Sequence, residues 1–196
     1  MFRERFLLLS LFFEMQDRLL FGQTQLSITI ARLCQQLIEK HGNFENTVLL
    51  GLQPRGVYFA DRIQKELSKY TSKKILLGYL DSTFFRDDFR RRENPVRANE
   101  TRIEFLIENK QVVLIDDVFY TGRSVRAALD AMHAFGRPSK VELMVLVKRK
   151  YARHVPVYPD YVGKEVNTLN TQKVLVGWKN VDGKDEDNVW LTDKPE

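Results

Sequence analysis

A single cysteine, Cys34, stands among 196 residues, so no internal disulfide can close. It sits beside Leu33 and Leu37 in a helical apolar pattern, which suits a buried thiol rather than a nucleophile. The histidines, His41, His133 and His154, have no metal-ligand spacing, and a zinc site is not expected. Repeats and low-complexity stretches are absent. The apolar run Phe6 to Phe13 is far shorter than the roughly 20 residues a bilayer span needs. It follows Phe2-Arg3-Glu4-Arg5 like the centre of a signal peptide, but Glu14 comes at once and no small-residue cleavage site appears. Residues 1–20 therefore read as an extra N-terminal segment, partly upstream of a natural start at Met15. If present, that segment needs an apolar groove or a partner. No membrane association and a cytoplasmic location are expected. A net charge of +5 and a pI near 9.3 suit polyanionic ligands or nucleic acid.

What is present concentrates in one stretch. Val112 to Ile115 is an unbroken apolar run suited to a strand buried on both faces of a parallel sheet. Asp116 and Asp117 fall at its carboxyl end, where open α/β sheets bind ligands. Carboxylates offer acceptors and no donors, which matches the vicinal hydroxyls of a ribose. Thr121-Gly122-Arg123-Ser124 follows, with two hydroxyls and a glycine, and opens an amphipathic pattern through Val125, Ala128, Leu129, Met132 and Phe135. Free N–H groups and the positive end of a helix dipole make such a loop an anion site. Its spacing is neither G-x-x-x-x-G-K-S/T nor G-x-G-x-x-G. Hydroxyl acceptors and phosphate donors within one turn are what a ribose 5-phosphate requires.

The rest of the chain alternates. Thr24 to Lys40 reads as a helix and Thr47 to Leu52 as a strand. Gln53-Pro54-Arg55-Gly56 is a tight loop opening a helix to about Tyr70, and Ile75 to Leu80 is a strand leading into Asp81. Arg86 to Arg102 is charged and lacks apolar periodicity, a length of loop that is usually functional or disordered. Val141 to Val147, Val174 to Trp178 and Val189 to Leu191 read as strands. Strands alternating with helices imply a parallel α/β sheet.

The signature run resembles the phosphoribosyl pyrophosphate (PRPP) motif of type I phosphoribosyltransferases. Gly51-Leu52-Gln53-Pro54-Arg55-Gly56-Val57-Tyr58, Phe85-Arg86-Asp87-Asp88, Gly136-Arg137-Pro138-Ser139 and Pro159-Asp160-Tyr161-Val162-Gly163-Lys164 extend the likeness. In this combination the chain resembles the family of bifunctional pyrimidine operon regulators and uracil phosphoribosyltransferases, the PyrR family, from about Phe21 to Leu191. The resemblance implies a type I phosphoribosyltransferase domain over 21–196: a mainly parallel sheet flanked by helices, with a small hood and a flexible loop.

It also implies transfer of a phosphoribosyl group from PRPP to uracil, giving UMP and pyrophosphate with Mg²⁺. Asp116 and Asp117 would hold the ribose, and Tyr120, Thr121, Gly122, Arg123 and Ser124 the 5-phosphate. Gln53, Pro54, Arg55 and Gly56 would hold pyrophosphate, with Arg86 closing over it from a mobile hood at 84–102. Arg86 joins the two aspartates as a catalytic candidate. Asp87 and Asp88 read either as loop acids or as part of the site, and Arg90-Arg91-Arg92 reads as a solvated charge run. The base would lie near Val147, Lys148 and Arg149, with Tyr161 and Val162 as an apolar wall. Mg²⁺ would be held mainly by PRPP, with no direct protein ligand. The related pyrophosphate loops contain a cis peptide, expected here at Leu52–Gln53 or Gln53–Pro54; an X–Pro bond makes cis far cheaper.

Two departures keep alternatives open. Family members typically carry Asp-Arg where this chain has Lys148-Arg149, and lysine there resembles hypoxanthine-guanine phosphoribosyltransferases. Those enzymes place an aspartate where this chain has Tyr120, which favours uracil. The second alternative is an RNA-binding attenuation regulator with little catalysis. It would sense UMP and PRPP and grip pyrimidine operon leader mRNA through Arg32, Lys40, Arg137, Lys150, Arg153 and His154. Ile28 and Gln35 fall where RNA-binding relatives carry basic groups, which weakens that reading. The resemblance implies a homodimer or larger homo-oligomer.

Overall fold

The computed structural model describes residues 17–87, 99–151 and 153–193. Most of the extra N-terminal segment, including Met15, lies outside the described residues, as do Asp88 and the Arg90-Arg91-Arg92 run. The rest falls into two compact units.

The larger unit spans 27–167 and is built on a parallel sheet. Its strands are β2 (Thr47–Leu52), β3 (Leu77–Leu80), β4 (Gln111–Phe119), β5 (Lys140–Arg149) and β6 (Tyr161–Val166), in the order β3-β2-β4-β5-β6. β4 lies at the centre, with Leu49 opposite Val113 on one side and Val118 opposite Val147 on the other. Val112, Val113, Leu114 and Ile115 are fully buried, as an apolar run covered on both faces must be.

Helices supply the cover. α1 (Gln23–His41) carries the buried Leu33, Cys34 and Leu37 at helical spacing. α2 (Gly56–Leu67) buries Phe59, Ala60, Ile63 and Leu67. α3 (Arg123–Met132) puts Val125, Ala128, Ala131 and Met132 into a core with Leu50, Val112, Leu114 and Val145. α3 is shorter than its apolar pattern, because His133–Phe135 tightens into a 3-10 turn before Gly136. Among the described residues no helix is long and apolar enough to cross a membrane.

The smaller unit is an antiparallel sheet of β1 (Arg18–Phe21), β7 (Lys173–Gly177) and β8 (Asn188–Thr192), ordered β1-β8-β7, with a short helix, α4 (Lys179–Asp182). Trp178 is fully buried, and its backbone N–H donates to Asp182 Oδ2 at 2.8 Å. β1 begins at Arg18, so the boundary expected at residue 20 falls inside a strand. β1 and β6 were not legible as strands: one is four residues long, and the other mixes Gly163, Lys164 and Glu165 into an edge position.

Candidate active site at the carboxyl end of the central strand

β4 delivers Asp116 and Asp117 to the carboxyl edge of the sheet, both partly exposed. The Asp117 backbone N–H donates to Asp116 Oδ1 at 3.0 Å. Burial and then the neighbouring Asp117 charge push the Asp116 carboxyl well above the usual range, against the opposing field of Arg86. Asp117 is also raised, by burial, with the Val118 N–H and Arg55 working the other way. The two arginines singled out from separate segments thus act on the same acid pair.

The chain then turns at Gly122, whose φ of +84° is left-handed and favours glycine. α3 starts immediately, so Gly122 to Ser124 surround a helix N-terminus. The Thr121 carbonyl accepts the backbone N–H groups of His154 at 2.9 Å and Val155 at 3.2 Å, which ties the loop to the segment after β5. A cavity of about 270 Å³ opens here, lined by Arg86, Asp116 and residues 118–125. Arg86 Nη1 donates to Ser124 Oγ at 3.3 Å, and Arg123 Nε stands 3.7 Å from Asp87 Oδ2.

The pyrophosphate-loop candidates come from the carboxyl end of β2, the neighbouring strand. The Gln53–Pro54 peptide is cis. Gly56 is required by contact: a Cβ there would lie 2.5 Å from the Ile115 carbonyl oxygen and 2.9 Å from Asp116 Cα. The start of α2 therefore abuts the backbone that carries the acids. Gln53 turns its amide to the Glu100 carbonyl at 2.6 Å.

Asp81 had no assigned role in the sequence reading. Its Oδ1 accepts the Thr83 N–H at 3.0 Å and the Thr83 hydroxyl at 2.6 Å, while Oδ2 accepts the Asn99 N–H at 2.8 Å. Arg102 exchanges backbone hydrogen bonds with Tyr79 at 2.8 Å each. The Arg86-bearing stretch is therefore fastened at both ends to the tip of β3. The signal available was an Asp-Ser-Thr run directly after an apolar strand.

The base candidates divide. Val147 is buried beside Val118, and the Arg149 guanidinium lies 3.8 Å from the Tyr120 ring centroid, a cation–π contact the sequence did not indicate. Lys148 Nζ is held by Glu165 Oε1 at 2.6 Å. Tyr161 and Val162 do not join this group. They pair with Met144 and Val145, toward the other end of the strand, and the residues beside 147–149 are Lys164, Glu165 and Val166. Val162 packs on the α3-side core. The Tyr161 hydroxyl donates to Glu142 Oε2 at 2.7 Å inside a buried network with His41. The expected apolar wall is thus corrected: strand register carries both residues away from the site.

Two of the basic candidates for RNA lie at opposite edges of the sheet. Arg137 lies three residues before β5 at the amino edge of the sheet, whereas His154 touches Thr121 at the carboxyl edge. Those edges are separated by nearly the length of β4, about 26 Å at ~3.3 Å per residue. Arg32 donates to the Val162 and Gly163 carbonyls, Lys40 pairs with Glu142, Lys150 with Glu165, and Arg153 stacks on Tyr158.

The phosphoribosyl transferase domain family matches residues 20–180. The bifunctional protein PyrR of Elusimicrobium minutum is 41% identical, over 86% of this chain and 94% of its own length. That of Caldicellulosiruptor bescii is 43% identical, over 84% and 88%. The chain belongs to the PyrR family of phosphoribosyltransferases. Among solved structures, the hypoxanthine phosphoribosyltransferase of Trypanosoma cruzi aligns with a TM-score of 0.67 at 16% identity, covering 91% of this chain and 97% of that one. That of Staphylococcus aureus gives 0.65 at 16% identity, covering 88% and 90%. At such identity the likeness is one of fold: PyrR proteins share the type I phosphoribosyltransferase architecture with purine enzymes.

Proposed function

We propose that the chain transfers the phosphoribosyl group of PRPP to uracil, yielding UMP and pyrophosphate. The observation that carries this is one cavity in which Asp116, a glycine-turned helix N-terminus and Arg86 converge, with Asp117 next to Asp116 on β4. The loop at 120–124 takes the 5-phosphate, and Asp116 and Asp117 accept the ribose hydroxyls. Substitution at the anomeric carbon passes through an oxocarbenium-like state. Two desolvated carboxylates repel each other, and a cationic ribosyl centre relieves that repulsion, so the pair favours the transition state over the ground state. Arg55 binds pyrophosphate as a guanidinium fork, and Arg86 covers it and limits hydrolysis by water.

Mg²⁺ would be held mainly by PRPP and water, and the adjacent carboxylates Asp116 and Asp117 suit the hydrated shell of a hard cation without ligating it directly. Among the described residues no cluster of three or more His, Cys, Asp or Glu could hold an ion alone. When bound, the ion offsets the charge of the diphosphate.

The choice of uracil over a purine rests on Lys148. Its ammonium is paired with Glu165 on the adjacent strand, so it is engaged away from the role of a purine 6-oxo donor, and Tyr120 stands where purine enzymes place an aspartate. Steady-state assays with PRPP, Mg²⁺ and uracil, hypoxanthine or guanine test the reading. Turnover of uracil alone is expected; turnover of hypoxanthine without uracil overturns it.

For the second activity implied by the bifunctional relatives, we propose UMP-dependent binding of pyrimidine operon leader RNA by an assembled homo-oligomer in the cytoplasm. Lys150, Arg153 and His154 are the candidates nearest the nucleotide site. Salt-dependent binding with UMP present is expected, and no binding at low salt removes it.

A further inference from the structure

Arg86 reaches the cavity from a turn rather than from a strand or α-helix. It follows the short 3-10 segment Thr83–Phe85, and its own backbone is extended, with φ −78° and ψ 137°. A long side chain leaving such a turn is only as well placed as the turn beneath it. One carboxylate anchors that turn. Asp81 follows Leu80, which is fully buried on β3 and paired with Leu52 of β2. Its Oδ1 accepts both donors of Thr83, the N–H at 3.0 Å and the hydroxyl at 2.6 Å, and so fixes the first residue of the turn. The Phe85 N–H then donates to the Ser82 carbonyl at 3.0 Å, and the Arg86 N–H to the Thr83 carbonyl at 3.4 Å. A chain of hydrogen bonds thus runs from the Asp81 side chain to the Arg86 backbone.

The other carboxylate oxygen holds the chain where it returns. Oδ2 accepts the Asn99 N–H at 2.8 Å, and the Asp81 N–H donates to Thr101 Oγ1 at 3.1 Å. The neighbouring loop is tied in as well. The Gln53 N–H donates to the Leu80 carbonyl at 3.0 Å, and its side-chain amide to the Glu100 carbonyl at 2.6 Å. Asp81 therefore stands where the Arg86 turn, the returning chain at 99–101 and the start of the Arg55 loop meet. A carboxylate offers only acceptors, and hydrogen bonds to it are charge-assisted, so three donors converging on one side chain make a firm joint. At the far end Arg86 Nη1 donates to Ser124 Oγ at 3.3 Å, beside Asp116 in the cavity. A displaced turn would be felt directly at that contact.

We infer that Asp81 is a positioning residue for Arg86: its carboxylate fixes the turn from which the guanidinium reaches the cavity, without itself touching substrate. The assignment rests on the reading of Arg86 as the group that covers pyrophosphate. It is independent of which base the enzyme uses.

A double-mutant cycle in the full chain tests it, with Asp81→Ala, Arg86→Ala and the two combined. The readouts are the Kd for PRPP with Mg²⁺, by calorimetry without any base, and kcat/KM for PRPP with uracil. With Arg86 present, Asp81→Ala should worsen each by about 10- to 100-fold, as a misplacement of about 1 Å does. In the Arg86→Ala background the same change should cost less than about threefold. Asp81→Asn, which keeps one acceptor oxygen, and Thr83→Val, which removes one donor, should each cost about 3- to 10-fold with the same dependence on Arg86. They carry the test if Asp81→Ala does not fold. Losses of equal size in both backgrounds overturn the inference, and so does wild-type behaviour of all three variants. An Arg86→Ala protein with unchanged PRPP binding and turnover overturns the reading of Arg86, and this inference with it. Coupling seen in PRPP binding without uracil turnover supports the role of Asp81 and overturns only the choice of base.

Discussion

Glu142 offers a quantitative test of the corrected position of Tyr161. Its side chain, 1% exposed, lies near the amino end of β5, where Lys40 reaches Oε1 at 2.8 Å and Lys140 at 2.5 Å. Tyr161 donates to Oε2 at 2.7 Å, and His41 Nε2 lies 3.0 Å from the same oxygen. Burial pushes the carboxyl up, but Lys140, Lys40, Tyr161 and His41 outweigh it and hold it at about 2, against an ordinary 4.5. At roughly 1.36 kcal/mol per unit, that depression corresponds to about 3 kcal/mol of native-state stability. Lys40 and Lys140 are 43% and 52% exposed, so solvent screening brings the expected figure to about 1–2 kcal/mol. The sign follows from linkage: a depressed carboxylate contributes fully above its unfolded value of 4.5 and loses that contribution as pH falls toward 2. Urea denaturation of the wild type and Glu142→Gln should therefore show the variant about 1–2 kcal/mol less stable at pH 7, with the gap narrowing by about pH 2.5. A gap below about 0.5 kcal/mol at neutral pH, or one unchanged in acid, would refute the account of this network.

Tyr161→Phe removes one donor from the same carboxylate and should cost about 1–2 kcal/mol in urea while leaving the KM for uracil unchanged; a raised KM would return Tyr161 to the base site. Gly56→Ala drives a methyl into the Ile115 carbonyl and displaces the Arg55 loop, so kcat/KM for PRPP should fall by about 10²-fold with the fold retained. Asp117→Asn should lower kcat by about 10²-fold or more. Because the native carboxyl is raised, its charge opposes folding above that raised value, so the same variant should be more stable than wild type at pH 7. Loss of both activity and stability would contradict the proposed origin of the shift.

The α/β alternation, the acid pair at the end of an apolar strand and the glycine turn opening a helix were legible because each rests on local chemistry: an apolar run, two carboxylates, a glycine before an amphipathic pattern. Arg55 and Arg86 were legible through motif resemblance, and the structure brings their charges to bear on the predicted acids. What escaped depends on register and partner choice. Tyr161 reads as an aromatic near the base until pairing with Met144 places it elsewhere. Asp81 gave only the Asp-Ser-Thr run after an apolar strand, which does not show that it joins Thr83 to Asn99. The six basic RNA candidates were chosen by charge, and charge along a chain does not reveal which edge of a sheet a residue occupies.

The contact at Gly56 has an evolutionary consequence. Because the helix that begins at Gly56 rests on main-chain atoms of the strand that carries Asp116 and Asp117, the spacing between the Arg55 loop and the acid pair is a property of the scaffold. Side chains farther along β5 and its neighbours can then be exchanged without recalibrating it.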